Sequence, residues 1–442
     1  MKTKSPHHPA SWTTAQWVIF VAVLFFLLLL TVGLRGQTPP ELPNVSEQTF
    51  SQNKKEIDRV FIDKLAKEYV SFKGNSALVI GVIKNGQKTS FTYGETEKGN
   101  KTLPDVNSIF ELGQASEVFT TSLLAILESE GKISSHEAVQ DVLKGVVKVP
   151  YYQRIICQRY TPQTKPDNDF QVPFNICFPD PNDAPKMIVL CDLATHSSGL
   201  PEEPSTSLFA GKNRFKDYTL DRLNNFVGKL SPSQTFGFEY QHSMVGIALL
   251  GEAMAFKLKT NYSTLLQTKL LNPLSMKHTF TTPTTEQAQF FLIGHTPKGK
   301  ITPHRDYNAL TPAAGIRSSV PDLLTFIEAN INPKMSLNVS LKETHIPRIY
   351  TDFNNPDYYM GWGWIQSPLY ERDSKNKKKM LWQVSERGGF SVYMSFVKES
   401  GTAVVIMSNS ANAVDGIGRE ILKSLEITPE KSKTVSAGQI KN

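Results

Sequence analysis

The sequence predicts a mixed α/β (α+β) domain carried behind a single N-terminal transmembrane helix. Three stretches predict it. Trp17 to Leu34 is an uncharged apolar run. Ala77 to Tyr93 reads as two strands joined at Asn85-Gly86, a dipeptide suited to a tight hairpin turn. Ile109 to Glu130 opens like a strand end, turns at Gly113 and continues as a helix. In that helix Val118, Thr121, Leu124, Ala125 and Leu127 recur at three- and four-residue spacing.

Composition bounds the answer before any motif does. A chain of 442 residues, 40% hydrophobic, can bury one large core or two smaller ones. The formal charge of +7 is mild. Lys375, Lys377, Lys378 and Lys379 supply much of it and read as a solvated face. No basic patch interleaved with aromatics points to a nucleic acid partner. Three cysteines make no disulfide framework. Cys157 and Cys177 flank a Pro-, Asp- and Gln-rich segment and are free to pair outside the cytosol. Cys191, in an apolar helical pattern, reads as a small core residue. No metal-ligand cluster or cofactor motif stands out.

Taken in order, residues 1–16 form a short tail. The apolar run 17–34 reaches about 27 Å as a helix, enough to span a bilayer core. Trp12 and Trp17 suit its interface, and Lys2 and Lys4 ahead of it favour a cytoplasmic tail. No small-x-small cleavage site follows, so the run is expected to stay as an anchor, with the globular part extracytoplasmic. Residues 35–54 are Pro-rich and polar and read as a tether. The domain follows, over 55–428. Its first helix, 56–70, places Ile57, Val60, Phe61, Leu65 and Tyr69 on one face, and the hairpin comes next. Residues 429–442 are polar and read as a frayed tail.

Several ordered segments carry a family resemblance. Ile109 to Glu130 is similar to the F-E-x-G-S-x-S-K-x-F-T stretch of the serine β-lactamase and penicillin-binding-protein superfamily, closest to its class C proteins. Phe110, Glu111, Gly113, Ser116, Phe119 and Thr120 fit that pattern. Ile188 to Pro201, IVLCDLATHSSGLP, resembles T-L-x-D-L-L-x-H-T-S-G-L-P, with a helix expected to stop at Ser198-Gly199. Leu271 to Thr279, Pro312 to Phe326 and Tyr359 to Trp364 each resemble a family segment. Gln383 to Phe396 resembles K-T-G-x-T-G-G-F-x-x-Y-x-x-F. The resemblance implies an antiparallel sheet flanked by helices, built from the early hairpin and the late strands near 383–408. It also implies a mostly helical subdomain over roughly 118–290. Residues 145–186 match nothing in the pattern and read as an insertion.

The same alignment shows which positions depart. Gln114 stands where the family has its nucleophilic Ser, and Glu117 where it has the Lys one helical turn on. Tyr240 fits the family Tyr of the facing loop, and His242 stands in place of Asn. A gap-free register would instead put His242, Ser243 and Met244 on that triplet. Gln383, Val384 and Ser385 replace Lys-Thr-Gly. In the family the Ser attacks an acyl carbon, Lys and Tyr handle the proton, and the Lys-Thr-Gly strand grips the substrate carboxylate and lines the oxyanion hole. A Gln amide nitrogen is delocalised and does not attack, and Glu117 reverses a charge. His196 and Ser197 lie in a turn that is scaffold in the family.

Two functions follow as expectations. One is a membrane-anchored, non-hydrolytic relative that binds a ligand in the old cleft, such as cell-wall peptide or an envelope protein. The other is a hydrolase with altered acid–base residues, in which Glu117, Tyr240 and His242 act on a water. Neither needs a cofactor. An anionic Glu117 in a partly buried cleft is costly unless paired, so a Glu117–His242 hydrogen bond is expected.

Overall fold

The computed structural model describes residues 57–427, apart from 153–154, 161–173, 180–181, 183, 205–212, 231–236, 238, 353–354 and 371–376. The apolar run 17–34 and the tether 35–54 lie outside the described residues. Among the described residues no helix is long and apolar enough to cross a membrane.

Helix α1 (Arg59–Ser71) starts where the Asp58 side chain accepts the Phe61 N–H. Its buried stripe is Ile62, Leu65, Ala66 and Tyr69. That corrects the expected face: Val60 is 80% exposed. The cap at Asp58 sets the helix phase, and the sheet beneath it selects the stripe.

Strands β1 (Ala77–Lys84) and β2 (Gln87–Gly94) form the hairpin, with Lys84 opposite Gln87 and a left-handed Asn85-Gly86 turn. Helix α2 (Glu117–Ser129) follows the Gly113 turn. The helical region continues with α3 (Leu190–Ala194), α4 (Leu220–Val227), α5 (Met244–Lys257), α6 (Tyr262–Leu266) and α7 (Val320–Ile331). The chain then returns to the sheet. Strands β3 (Ile349–Tyr350), β4 (Tyr359–Met360) and β5 (Ile365–Pro368) lead into β6 (Lys379–Arg387), β7 (Phe390–Val397) and β8 (Thr402–Ser408). Helix α8 (Asp415–Glu426) closes the described chain.

The eight strands form one antiparallel sheet in the order β3-β4-β5-β6-β7-β8-β1-β2. The early hairpin therefore joins the late strands directly: Leu78 lies opposite Ser408 and Ile83 opposite Ala403. The Asn409 side chain locks this join by accepting the Ala77 N–H at 2.8 Å. Alternate residues face opposite sides of a strand, and the two faces feed two cores. Val79, Val392, Met394, Phe396, Val405 and Met407 pack against the helical region. Leu78, Ile80, Tyr393, Val404 and Ile406 pack under α1 and α8. Gly81 permits the close approach of α7: a Cβ there would lie 2.5 Å from a Val320 methyl.

Helix α2 was expected to bury one face. It is buried all round from Glu117 to Leu127, because it lies between the sheet and α5, with Phe119 stacked on Phe326 of α7. Within the presumed insertion 145–186, Ile155–Tyr160 pairs with Phe174–Pro179 as a hairpin arm, and its register sets Cys157 opposite Cys177. Cys191 is only partly buried and packs at the edge of the core; burial and then Asp192 push its thiol up to about 11.

Candidate functional site: a buried carboxylate between two imidazoles

The site is assembled where α2, the turn after α3, the loop into α5 and strand β6 converge. Gly113, with φ +52°, turns the chain from the strand end at Phe110–Glu111 into a short 3₁₀ segment and then α2. This presses Gln114 and Glu117 against β6. A Cβ on Gly113 would sit 2.4 Å from Ser385 Oγ, so glycine is required twice, for conformation and for space.

Glu117 is the centre. Its side chain is 1% exposed and each carboxylate oxygen meets one imidazole. His242 Nε2 lies 2.9 Å from Oε1, and His196 Nε2 lies 3.1 Å from Oε2. The Glu117–His242 pair expected from the sequence is thus in direct contact. The His196 contact was not expected. Helix α3 ends at Ala194 rather than at Ser198-Gly199, and His196 itself takes the left-handed conformation, φ 56°. That conformation aims its ring back at α2. Ordinary helix-stop reasoning favours glycine for the role, so the sequence drew attention to Gly199 instead.

The proton positions follow from the partners. The Ser243 backbone N–H donates to His196 Nδ1 at 3.1 Å. Nδ1 is therefore the bare nitrogen, and the ring proton sits on Nε2, facing Glu117. Burial pushes the Glu117 carboxyl up, but His242 and His196 more than offset this and hold it at about 2. Burial depresses the His242 imidazolium, yet Glu117 and then Glu202 outweigh it, and its pKa is raised. The arrangement is a buried carboxylate held between two imidazoles, with the His196 ring proton on Nε2 and the charged form of His242 favoured by its acidic neighbours.

Three ligand atoms within 4.8 Å of one another are close enough to invite a cation. The proton inventory opposes it. A metal on His196 Nε2 needs the ring proton moved to Nδ1, where it would face the Ser243 N–H, donor against donor. Metal-bound imidazoles place an acceptor there.

Contacts in the loop place its other side chains. Ser243 caps α5, accepting the Gly246 N–H at 2.8 Å and donating to Pro201 O at 2.8 Å, while Met244 is core. His242 is the residue that faces α2. Tyr240 lies edge-on to His196, ring centroids 5.9 Å apart. Burial, then Glu117 and Glu202, push its phenol pKa up. Tyr240 therefore stays protonated near neutral pH.

Strand β6 divides the remaining positions. Gln383 is consumed internally: its Nε2 donates to Gly363 O at 2.9 Å and its Oε1 accepts the Val384 N–H at 2.9 Å. The Val384 side chain packs with the core on the far side of the sheet. Ser385 faces α2, where its Oγ accepts the Gln114 backbone N–H at 3.0 Å. The backbone donor in the 3₁₀ segment that leads into α2 is thus occupied from within the protein.

Beside this contact opens a cleft of 610 Å³, lined by Gln114, Ser385, Arg387, Glu202, Thr302 and Arg305 among others. Arg387 spans it, pairing with Glu202 at 2.9 Å and Glu203 at 2.5 Å, and Arg214 also holds Glu203. No local pattern in the sequence signals these long-range pairs.

Comparison with known proteins agrees with this layout. The family model described as Beta-lactamase matches residues 62–425. A β-lactamase of Pseudomonas fluorescens is 23% identical over 79% of this chain and 93% of its own. The D-alanyl-D-alanine-carboxypeptidase/endopeptidase AmpH of Escherichia coli K12 is 21% identical over 80% of this chain and 86% of its own. Among solved structures, a class C β-lactamase superposes with TM-score 0.66 at 19% identity, covering 86% of this chain and 99% of that one. A D-alanine carboxypeptidase from Burkholderia cenocepacia gives 0.62 at 18% identity, covering 83% and 97%. At these identities the structural likeness speaks for the fold.

Proposed function

The chain belongs to the Beta-lactamase family, and from that premise we propose that it is a membrane-anchored, non-hydrolytic member that binds a ligand in the cleft beside Gln114. The observation that carries this reading is the Gln114 N–H to Ser385 Oγ hydrogen bond. Acyl transfer needs backbone donors free to receive a developing oxyanion. Here one such donor, at the position aligned with the nucleophile, is already satisfied by a side chain. The other supports are chemical: Gln114 offers no nucleophilic atom, Glu117 is locked between two imidazoles, and Tyr240 holds its proton. Cell-wall peptide or another envelope protein is the ligand class that fits an extracytoplasmic domain tethered through residues 17–34.

The test is activity-based labelling of the purified domain. Fluorescent penicillin and a fluorophosphonate should both leave it unlabelled while a class C β-lactamase control labels. A covalent adduct on any serine overturns the reading. A second reading, water-directed hydrolysis without an acyl-enzyme, is favoured by one observation: His242 is 23% exposed and borders the buried carboxylate. It predicts turnover of a D-alanyl-D-alanine peptide or β-lactam in the absence of any label, and loss of that turnover in His242→Asn.

A further inference from the structure

A second cavity, of 340 Å³, opens away from the cleft between α4, α5 and α6. Its lining includes Leu220 of α4, Ala248, Glu252 and Phe256 of α5, Tyr262 of α6, and Pro312. Residues 248, 252 and 256 are spaced by four and share one face of α5. Leu220 and Phe256 are large apolar side chains left 48% and 46% exposed at this cavity. The volume is at the small end for ligand pockets.

Among these apolar groups sits one carboxylate. Glu252 is 9% exposed. Its Oε1 accepts the Asn224 amide at 3.1 Å, and its Oε2 has no hydrogen-bond partner. Asp221 of α4 adds a second negative charge close enough to be felt, and burial raises the Glu252 pKa. A buried carboxylate satisfied on one side only is costly, and a cation brought from the cavity to its unpartnered oxygen removes that cost.

We propose that this cavity binds a small primary ammonium compound with an apolar tail, the ammonium on Glu252 and the tail against Phe256 and Leu220. The chemistry sets an order among isosteric ligands. A neutral alcohol gains only the tail's burial, and a carboxylate is repelled by Glu252 and Asp221. The site is independent of the cleft reading, since it shares no lining residue with it. It is nonetheless bonded to the same helix: the Tyr262 hydroxyl lies 2.6 Å from Thr120 Oγ1, which donates to Pro312 O at 2.6 Å, and Thr120 is three residues from Glu117.

The experiment is calorimetry on the full chain at neutral pH with n-hexylammonium, 1-hexanol and hexanoate. Hexylammonium should bind about tenfold more tightly than hexanol, the size of one charge-assisted hydrogen bond, and hexanoate should bind most weakly. Glu252→Gln should bring hexylammonium down to the affinity of hexanol. Phe256→Ala, at a half-exposed position, should weaken both together. As a check that needs no variant, the preference for the amine should vanish as pH falls and Glu252 takes up a proton. Equal affinities in the unaltered chain, no binding by any of the three, or an amine preference that survives Glu252→Gln or acidification overturns the proposal.

Discussion

At the scale of single residues, the departures from the family pattern act together. Lys-to-Glu at 117 alone would bury an anion. His242 without Glu117 would keep only the more distant Glu202, 4.0 Å from its Nδ1. Together they form a hydrogen-bonded ion pair at 2.9 Å, with His196 on the other oxygen. A double-mutant cycle with Glu117→Gln and His242→Asn should therefore show a coupling of about 1–3 kcal/mol in unfolding free energy; additive losses would remove the pair from the account. The pH dependence has a definite sign. Glu117 is depressed from 4.5 to about 2, so its share of stability is present above 4.5 and lost as pH falls through 2. His242 is raised from 6.5, so its share is present below 6.5 and lost as pH rises through its folded value. Denaturant melts should give a stability plateau between about pH 4.5 and 6.5 that His242→Asn flattens on the alkaline side. An unchanged alkaline limb in that variant would contradict the assignment.

At the scale of elements, close packing explains what periodicity missed. Helix α2 carries Glu117, Thr120, Thr121 and Ser122 at buried positions, and each polar group is answered locally. Thr121 Oγ1 reaches Trp362 O at 3.0 Å, and Ser122 Oγ donates to Val118 O at 2.5 Å. These bonds let a partly polar helix sit in a core. The opposite constraint operates at β1. Gly81→Ala would bring its methyl to 2.5 Å from Val320 Cγ1 and 2.8 Å from Leu324 Cδ1. The cost should be about 1–3 kcal/mol, from forced displacement of α7, measured as a lower denaturant midpoint. A neutral or stabilising outcome would mean that α7 gives way freely.

At the scale of the whole molecule, the sheet brings the two ends of the domain together, and the cleft between sheet and helices is crossed by ion pairs. Arg387 on the sheet and Glu202 and Glu203 beside the helical region bridge its two walls. The proposed anchor is tested at this scale as well. Removing residues 1–36 should move the protein wholly into the soluble fraction after cell lysis and leave its thermal unfolding midpoint unchanged, because the first described helix, α1, starts later, at Arg59. Continued sedimentation with membranes would locate the attachment elsewhere on the chain.

The sequence by itself determined the frame: the hairpin at Asn85-Gly86, the Gly113 turn into α2, and the late strands around Gly388-Gly389. These are local signals, written in turn chemistry and in the period of apolar residues. Pairing Glu117 with His242 was also legible, because an unpaired buried charge is too costly to leave unexplained. Only the tertiary structure decided that His196 takes the second oxygen, since that depends on a left-handed residue at a helix end. Only it showed that the Val384 side chain packs with the core under α1 and α8, that Gln383 is spent on Gly363, and that Ser385 occupies the Gln114 N–H. Each of those outcomes is a contact between segments far apart in the chain. Such contacts are selected by shape and hydrogen-bond satisfaction once the sheet has closed, and no local pattern encodes them.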